Sequence, residues 1–167
     1  MTISSLVFKK TSPTSKENDL FKEYLGSLKQ DFPFNNKLTL IHCPTFSFSA
    51  FNIKVAKNRA LYAYPPTGLQ CLKAALSPLG VEVDILDLNF IMLDKARTSQ
   101  ACDLTVGLNT ILSEYFNTHK VSVVGVSAGV TVSNVFQEQD HPFVQTLSFL
   151  MSKKKHMVIA GGIIATN

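Results

Sequence analysis

Apolar and polar residues change their spacing several times along this chain, and each change predicts an element. From residue 14 the spacing is helical. Leu20, Phe21, Tyr24, Leu25 and Leu28 fall on one stripe, and Thr14 with Glu17 has the spacing of a capping box. The pattern then shortens to a strand at residues 37–43 (KLTLIHC), stopped by Pro44. Residues 44–66 hold the aromatics Phe46, Phe48, Phe51, Tyr62 and Tyr64 and no acid. A stretch that long without structure of its own is usually functional. Leu69, Leu72, Leu76 and Leu79 then predict a helix opened by Thr67 as its cap and closed by Gly80. Residues 81–88 (VEVDILDL) predict a second strand, and residues 103–118 a helix with Leu104, Leu108, Ile111, Leu112 and Tyr115 on one face. A long β-branched run at residues 121–132 predicts the third strand. Pro142 suits the first position of another helix behind Asp140 or His141, with Phe143, Leu147 and Leu150 inward and Lys153, Lys154 and Lys155 at its negative end. Residues 157–160 form a fourth strand running into Gly161 and Gly162.

Strands that read as near-continuous apolar runs, alternating with helices, predict a parallel sheet covered on both faces. The expected architecture is a Rossmann-like or flavodoxin-like α/β fold. Residues 37–167 make that domain, and residues 1–36 are an appendage with one short amphipathic helix. A flavodoxin-like sheet wants a fifth strand, and the fourth lies close to the end of this sequence. The expectation is a domain missing its last strand, continued by further chain or covered by a partner, because an uncovered apolar strand is a sticky edge.

Composition narrows the classes. Of 167 residues, 46% are apolar and 17% charged, which excludes a disordered tail and suits one well-buried domain. A net charge of +4 is too mild to predict a nucleic-acid partner. No apolar run reaches the ~18 residues of a membrane span, and the first ten residues lack a signal-peptide core. Cys43, Cys71 and Cys102 are odd in number and far apart. That argues against disulfides and zinc and for a reduced, cytoplasmic protein.

In an open parallel sheet, ligands bind beyond the carboxyl ends of the strands. The unusual residues gather there: the segment Tyr64-Pro-Pro-Thr-Gly-Leu69, then Asp84, Asp87 and Asn89, then Gly125-Val-Ser-Ala-Gly-Val-Thr131, then Gly161 and Gly162. Glycine lets a ligand approach the backbone closely. Neither G-x-G-x-x-G nor G-x-x-x-x-G-K-[ST] is present, so a dinucleotide or a nucleoside triphosphate is disfavoured. An aromatic, acid-poor loop beside glycines suits a large, flat, mostly neutral ligand.

The ordered set Tyr64-Pro-Pro-Thr-Gly-Leu-Gln-Cys-Leu-Lys-Ala-Ala-Leu76, Gly80-Val-Glu-Val-Asp-Ile-Leu-Asp87, Val124-Gly-Val-Ser127 and Val158-Ile-Ala-Gly-Gly162 resembles the cobalamin-binding domain that precedes the barrel of cobalamin-dependent radical SAM enzymes. The resemblance covers residues 37–167. It implies a corrinoid lying across the carboxyl edge with its nucleotide tail threaded into the domain. Tyr64, Pro66, Thr67 and Gly68 would sit beside the corrin. Ser127 would meet the lower base or its tail, Gly129 and Thr131 would line the channel, and Gly161 and Gly162 would clear the tail's far end. The implied function is that of a cobalamin carrier for a methyltransferase-type enzyme, not catalytic by itself. S-adenosylmethionine and a [4Fe-4S] iron–sulfur cluster would belong to a radical SAM barrel supplied in cis or in trans.

The chain departs from related patterns in three places. No D-x-H-x-x-G follows the first strand, so His42 reads as a strand-end residue and not as a metal ligand of cobalt. The C-x-x-x-C-x-x-C of a radical SAM cluster is absent. Thr67 stands where many relatives carry a bulky apolar residue. Two rival readings remain. One is a protein-interaction module of the same fold that has lost its cofactor. The other is a serine esterase in which Gly125-Val-Ser-Ala-Gly129 is a G-x-S-x-G elbow, with Asp140 and His141 or His156 as partners of Ser127.

Overall fold

The structure, a computed structural model, describes residues 33–54, 65–98, 104–128 and 139–162, together with positions 19–20, 22–23, 26–27 and 30–31. The chain divides into two compact units, Met1–Pro33 and Phe34–Asn167. In the first, the described positions between 19 and 31 are helical, and Leu20 is exposed. Phe21, Tyr24, Leu25 and Leu28 of the expected stripe lie outside the described residues.

The second unit is an α/β domain. Its elements run β1 (Lys37–His42), α1 (Thr67–Leu76), a 3-10 turn (Ser77–Leu79), β2 (Glu82–Asp87), α2 (Leu88–Thr98), α3 (Leu104–Thr118), β3 (Val123–Ala128), α4 (Pro142–Lys153) and β4 (Met157–Gly162). The strands form one all-parallel sheet in the order β2-β1-β3-β4. This is the flavodoxin-like order, with its switch point between β1 and β3.

Register sorts the strand residues onto two faces. Ile41, Leu86, Val124 and Val126 point to the face covered by α2, α3 and α4, where they meet Leu88, Met92, Leu108, Ile111, Leu112, Phe143 and Leu150. Each such fully buried side chain contributes about 1.5–3 kcal/mol. Leu38, Leu40, Val83 and Ile85 point to the other face and meet Leu69 and Leu76 of α1. No residue of β3 or β4 joins that second cluster.

Four expectations need correction. Thr67 does not cap α1; Pro66 is the N-cap, without a side-chain hydrogen bond, and Thr67 is the first helical residue. Leu72 and Leu79 do not join the α1 stripe and stay exposed, because α1 has only the β1–β2 half of the sheet to rest on. Gly80 does close the turn, at φ 75°, where a side chain would be strained. The second strand stops at Asp87, and the unpredicted helix α2 starts at once. Asp87 Oδ1 accepts from the Phe90 N–H at 3.0 Å, which caps it. The third strand starts at Val123, two residues later than its sequence pattern, and residues 129–132 of that pattern lie outside the described residues. The cap of α4 matches expectation: His141 Nδ1 accepts from the Phe143 N–H at 3.2 Å, with Pro142 at the first position.

Candidate functional site

The carboxyl edge is where the strands put their polar last residues. His42 ends β1, and its register partners are Asp87 on one side and Ser127 on the other. Ser127 is in turn paired with Gly161, and Ala128 with Gly162. Side-by-side residues of parallel strands share a face, so Asp87, His42, Ser127 and Gly161 make one row on the α1 side. Two residues further back, Leu40, Gly125 and Ile159 make the equivalent inner row.

The two rows show which glycines leave room. A Cβ on Gly125 would stand 2.7 Å from Leu40 Cδ2. Gly125 is therefore a packing glycine inside the sheet, contrary to the expectation that it opens space for a ligand. A Cβ on Gly161 meets nothing within 4 Å, and neither does one on Gly68. Ile159 is 51% exposed although it points to the same face as the buried Leu40. On this face Ile159 of β4 is thus open where the β1–β2 half is covered by α1, although Val123 at the start of β3 is buried.

Pro66, Thr67 and Gly68 form the start of α1. Because α1 feeds β2 through a short turn, its far end lies at the amino edge and its start at the carboxyl edge. The sheet order sets Gly161 two strands from β1, roughly 10 Å across at ~4.8 Å per strand. Pro66, Thr67, Gly68, Ser127, Gly161 and Gly162 therefore all belong to one edge. Tyr64, Gly129 and Thr131 lie outside the described residues.

His42 and Asp87 are the site residues whose role the sequence reading missed. His42 is only 6% exposed, and its Nδ1 lies 3.1 Å from Asp87 Oδ1. Burial pushes the Asp87 carboxyl up. The His42 hydrogen bond, the backbone N–H groups of Phe90 and Asn89, and the His42 charge together outweigh it, so its pKa falls below the ordinary value. An ionised carboxylate only accepts, so His42 Nδ1 carries the hydrogen of this bond. The signal was present in the sequence as three strands ending His42, Asp87 and Ser127, and register alone aligns them. Asp84, by contrast, does not belong to this edge. It sits mid-strand on the opposite face, where Tyr115 Oη donates to its Oδ2 at 2.5 Å and lies 3.1 Å from Thr39 Oγ1. Burial and then the Asp84 hydrogen bond raise the Tyr115 pKa.

The described aromatics of the loop are engaged in packing. Phe46 is buried, stacks on Phe51 with centroids 4.8 Å apart, and joins Leu93 of α2 in a satellite core with Phe48 at its border. The Ser49 N–H donates to Asp140 Oδ2 at 2.9 Å, tying the loop to the approach to α4. The Ser49 side-chain hydrogen bond first, and this backbone bond second, lower the Asp140 pKa. Tyr62 and Tyr64 lie outside the described residues.

The esterase constellation does not assemble. Asp140 is bound to Ser49, and His141 is a buried helix cap. His156 lies at the amino edge, with Nδ1 2.9 Å from Val121 O, five residues or roughly 16 Å back from the Ser127 row. Cys43 is no nucleophile either: burial raises its thiol pKa to about 12, although a hydrogen bond to Thr146 works against the rise. Among the described residues no group of three or more His, Cys, Asp or Glu side chains is placed to hold a metal ion. No helix among them is long and apolar enough to cross a membrane. A scan against protein-family models gives no match, and searches of curated proteins and of solved structures give no significant match.

Proposed function

We propose that the carboxyl edge of this domain is a groove for cobalamin, and that the chain serves as the corrinoid-holding part of a radical SAM enzyme of the methyltransferase type. The observation that carries this reading is the pair Ser127 and Gly161, adjacent in register at the ends of β3 and β4, with space beside Gly161 next to the exposed Ile159. A flat ligand with a long polar tail needs that combination: clearance for the tail and a hydroxyl for its polar atoms. The residues present fit the group on both counts.

In this reading Pro66, Thr67 and Gly68 edge the corrin, Ser127 bonds the tail, and Gly161 and Gly162 give it clearance. The unplaced residues Tyr64, Gly129 and Thr131 keep the roles that the family resemblance implies. Bound cobalamin supplies a cobalt-centred methyl carrier, and a barrel in cis or trans supplies S-adenosylmethionine and its iron–sulfur cluster. The domain's own work is to hold the corrinoid in place and keep water from it. The protein acts in the cytoplasm, where Cys43 and Cys71 stay reduced.

Titration of the full chain with hydroxocobalamin, followed by absorbance, tests the reading. Saturable binding at sub-millimolar concentration is expected, and Ser127→Trp should abolish it by filling the tail channel. Equal binding by Ser127→Trp would remove the tail from this position. A second reading, a protein-interaction module, draws on the exposed Ile159 in the outermost strand β4. It predicts no binding and no spectral change.

A further inference from the structure

The row at the carboxyl edge contains one hydrogen-bonding atom that the corrinoid reading has not used. His42 is nearly buried, its Nδ1 is committed to Asp87, and no described residue takes its Nε2. Ser127 Oγ, in the neighbouring register position, likewise makes no hydrogen bond to a described residue. We infer that His42 is a ligand-contact residue of the groove, oriented by Asp87 so that Nε2 accepts a hydrogen bond from a hydroxyl or carboxamide of the ligand next to Ser127.

The direction of the bond follows from Asp87. The carboxylate is held ionised by His42 itself and by the amides at the start of α2, so it accepts from Nδ1–H. In its neutral form, with the proton held on Nδ1 by Asp87, the imidazole presents a bare Nε2, which accepts and does not donate. Ser127 Oγ both donates and accepts. Together they match a group that gives a hydrogen on one side and takes one on the other, as a hydroxyl or a primary carboxamide does. They match a bare phosphate oxygen poorly, because Nε2 would face it without a proton. Cobalamin carries several carboxamide arms and a ribose hydroxyl, so this inference rests on the proposed function and deepens it. Asp87 is a positioning residue: it acts through His42 and is already engaged with it and with α2.

Two measurements on the full chain test this. In the free protein, 15N–1H correlation of the His42 ring, recorded at a pH where the ring is neutral, should show the Nδ1–H tautomer, and Asp87→Leu should shift it toward Nε2–H. In hydroxocobalamin titrations, His42→Phe should weaken binding at least about tenfold and Asp87→Leu several-fold. His42→Gln, which keeps an acceptor, should recover most of the loss; it also controls for folding. A parent chain that does not bind hydroxocobalamin overturns the proposed function, and this inference falls with it. A parent that binds while His42→Phe binds equally well overturns the inference alone. So does an Nε2–H tautomer in the parent, or a bound spectrum showing imidazole on cobalt that disappears in His42→Phe.

Discussion

The two halves of the α1-side sheet face are built from the same strand grammar and finish differently. On the β1–β2 half, Leu38, Leu40, Val83 and Ile85 are closed over by Leu69 and Leu76 of α1. On the β3–β4 half, Ile159 continues the row of Leu40 and Gly125 yet is 51% exposed. The contrast extends to the glycines: a side chain on Gly125 would press on the end of Leu40, and Gly161 faces space. A glycine in a strand is thus a packing device or an opening according to what stands over it, and only the structure distinguishes the two.

The largest expected effect tests the closed half. Leu40→Ala removes a buried side chain wedged between Gly125 and α1 and should destabilise the domain by about 2–4 kcal/mol in urea unfolding. Gly125→Ala should cost about 1–2 kcal/mol by pressing on Leu40. Combined with Leu40→Ala it should cost less than the sum, because the clash partner is gone. Strictly additive losses would contradict the assigned contact.

Acid provides a smaller perturbation, at the carboxyl edge. Asp87 and Asp140 have lowered folded-state pKa values, so each contributes stability above the ordinary value of 3.8 and loses it as the pH falls through the folded value. Stability should decline below about pH 4, and Asp87→Asn should flatten that decline. A pH profile unchanged by Asp87→Asn would show that the His42–Asp87 bond contributes nothing. The smallest effect belongs to the open half: Ile159→Ser should change stability by less than about 0.5 kcal/mol.

How far the sequence reached follows from the same physics. Strand periodicity and the apolar stripes of α3 and α4 were legible because one side of each element decides its pattern. Strand order within a flavodoxin-like sheet followed from topology rules. Helix α2 was missed because Leu88 reads as the end of the apolar run VEVDILDL, and its cap, Asp87, looks like a strand residue until the chain is seen to turn there. The clustering of Ser127 and Gly161 was legible as two strand ends. The His42–Asp87 contact was not, because their 45-residue separation is closed only by register. Thr39 with Tyr115 and Asp84, and the loop phenylalanines with Leu93, are long-range pairings of the same kind.

The most direct test of the open-edge account is a paired measurement on Gly161→Leu: urea stability and hydroxocobalamin affinity on the same preparation. The account predicts stability within about 0.5 kcal/mol of the parent, since nothing stands over the position, together with loss of the parent's cobalamin binding. Unchanged affinity in the variant, or a large loss of stability, would contradict it.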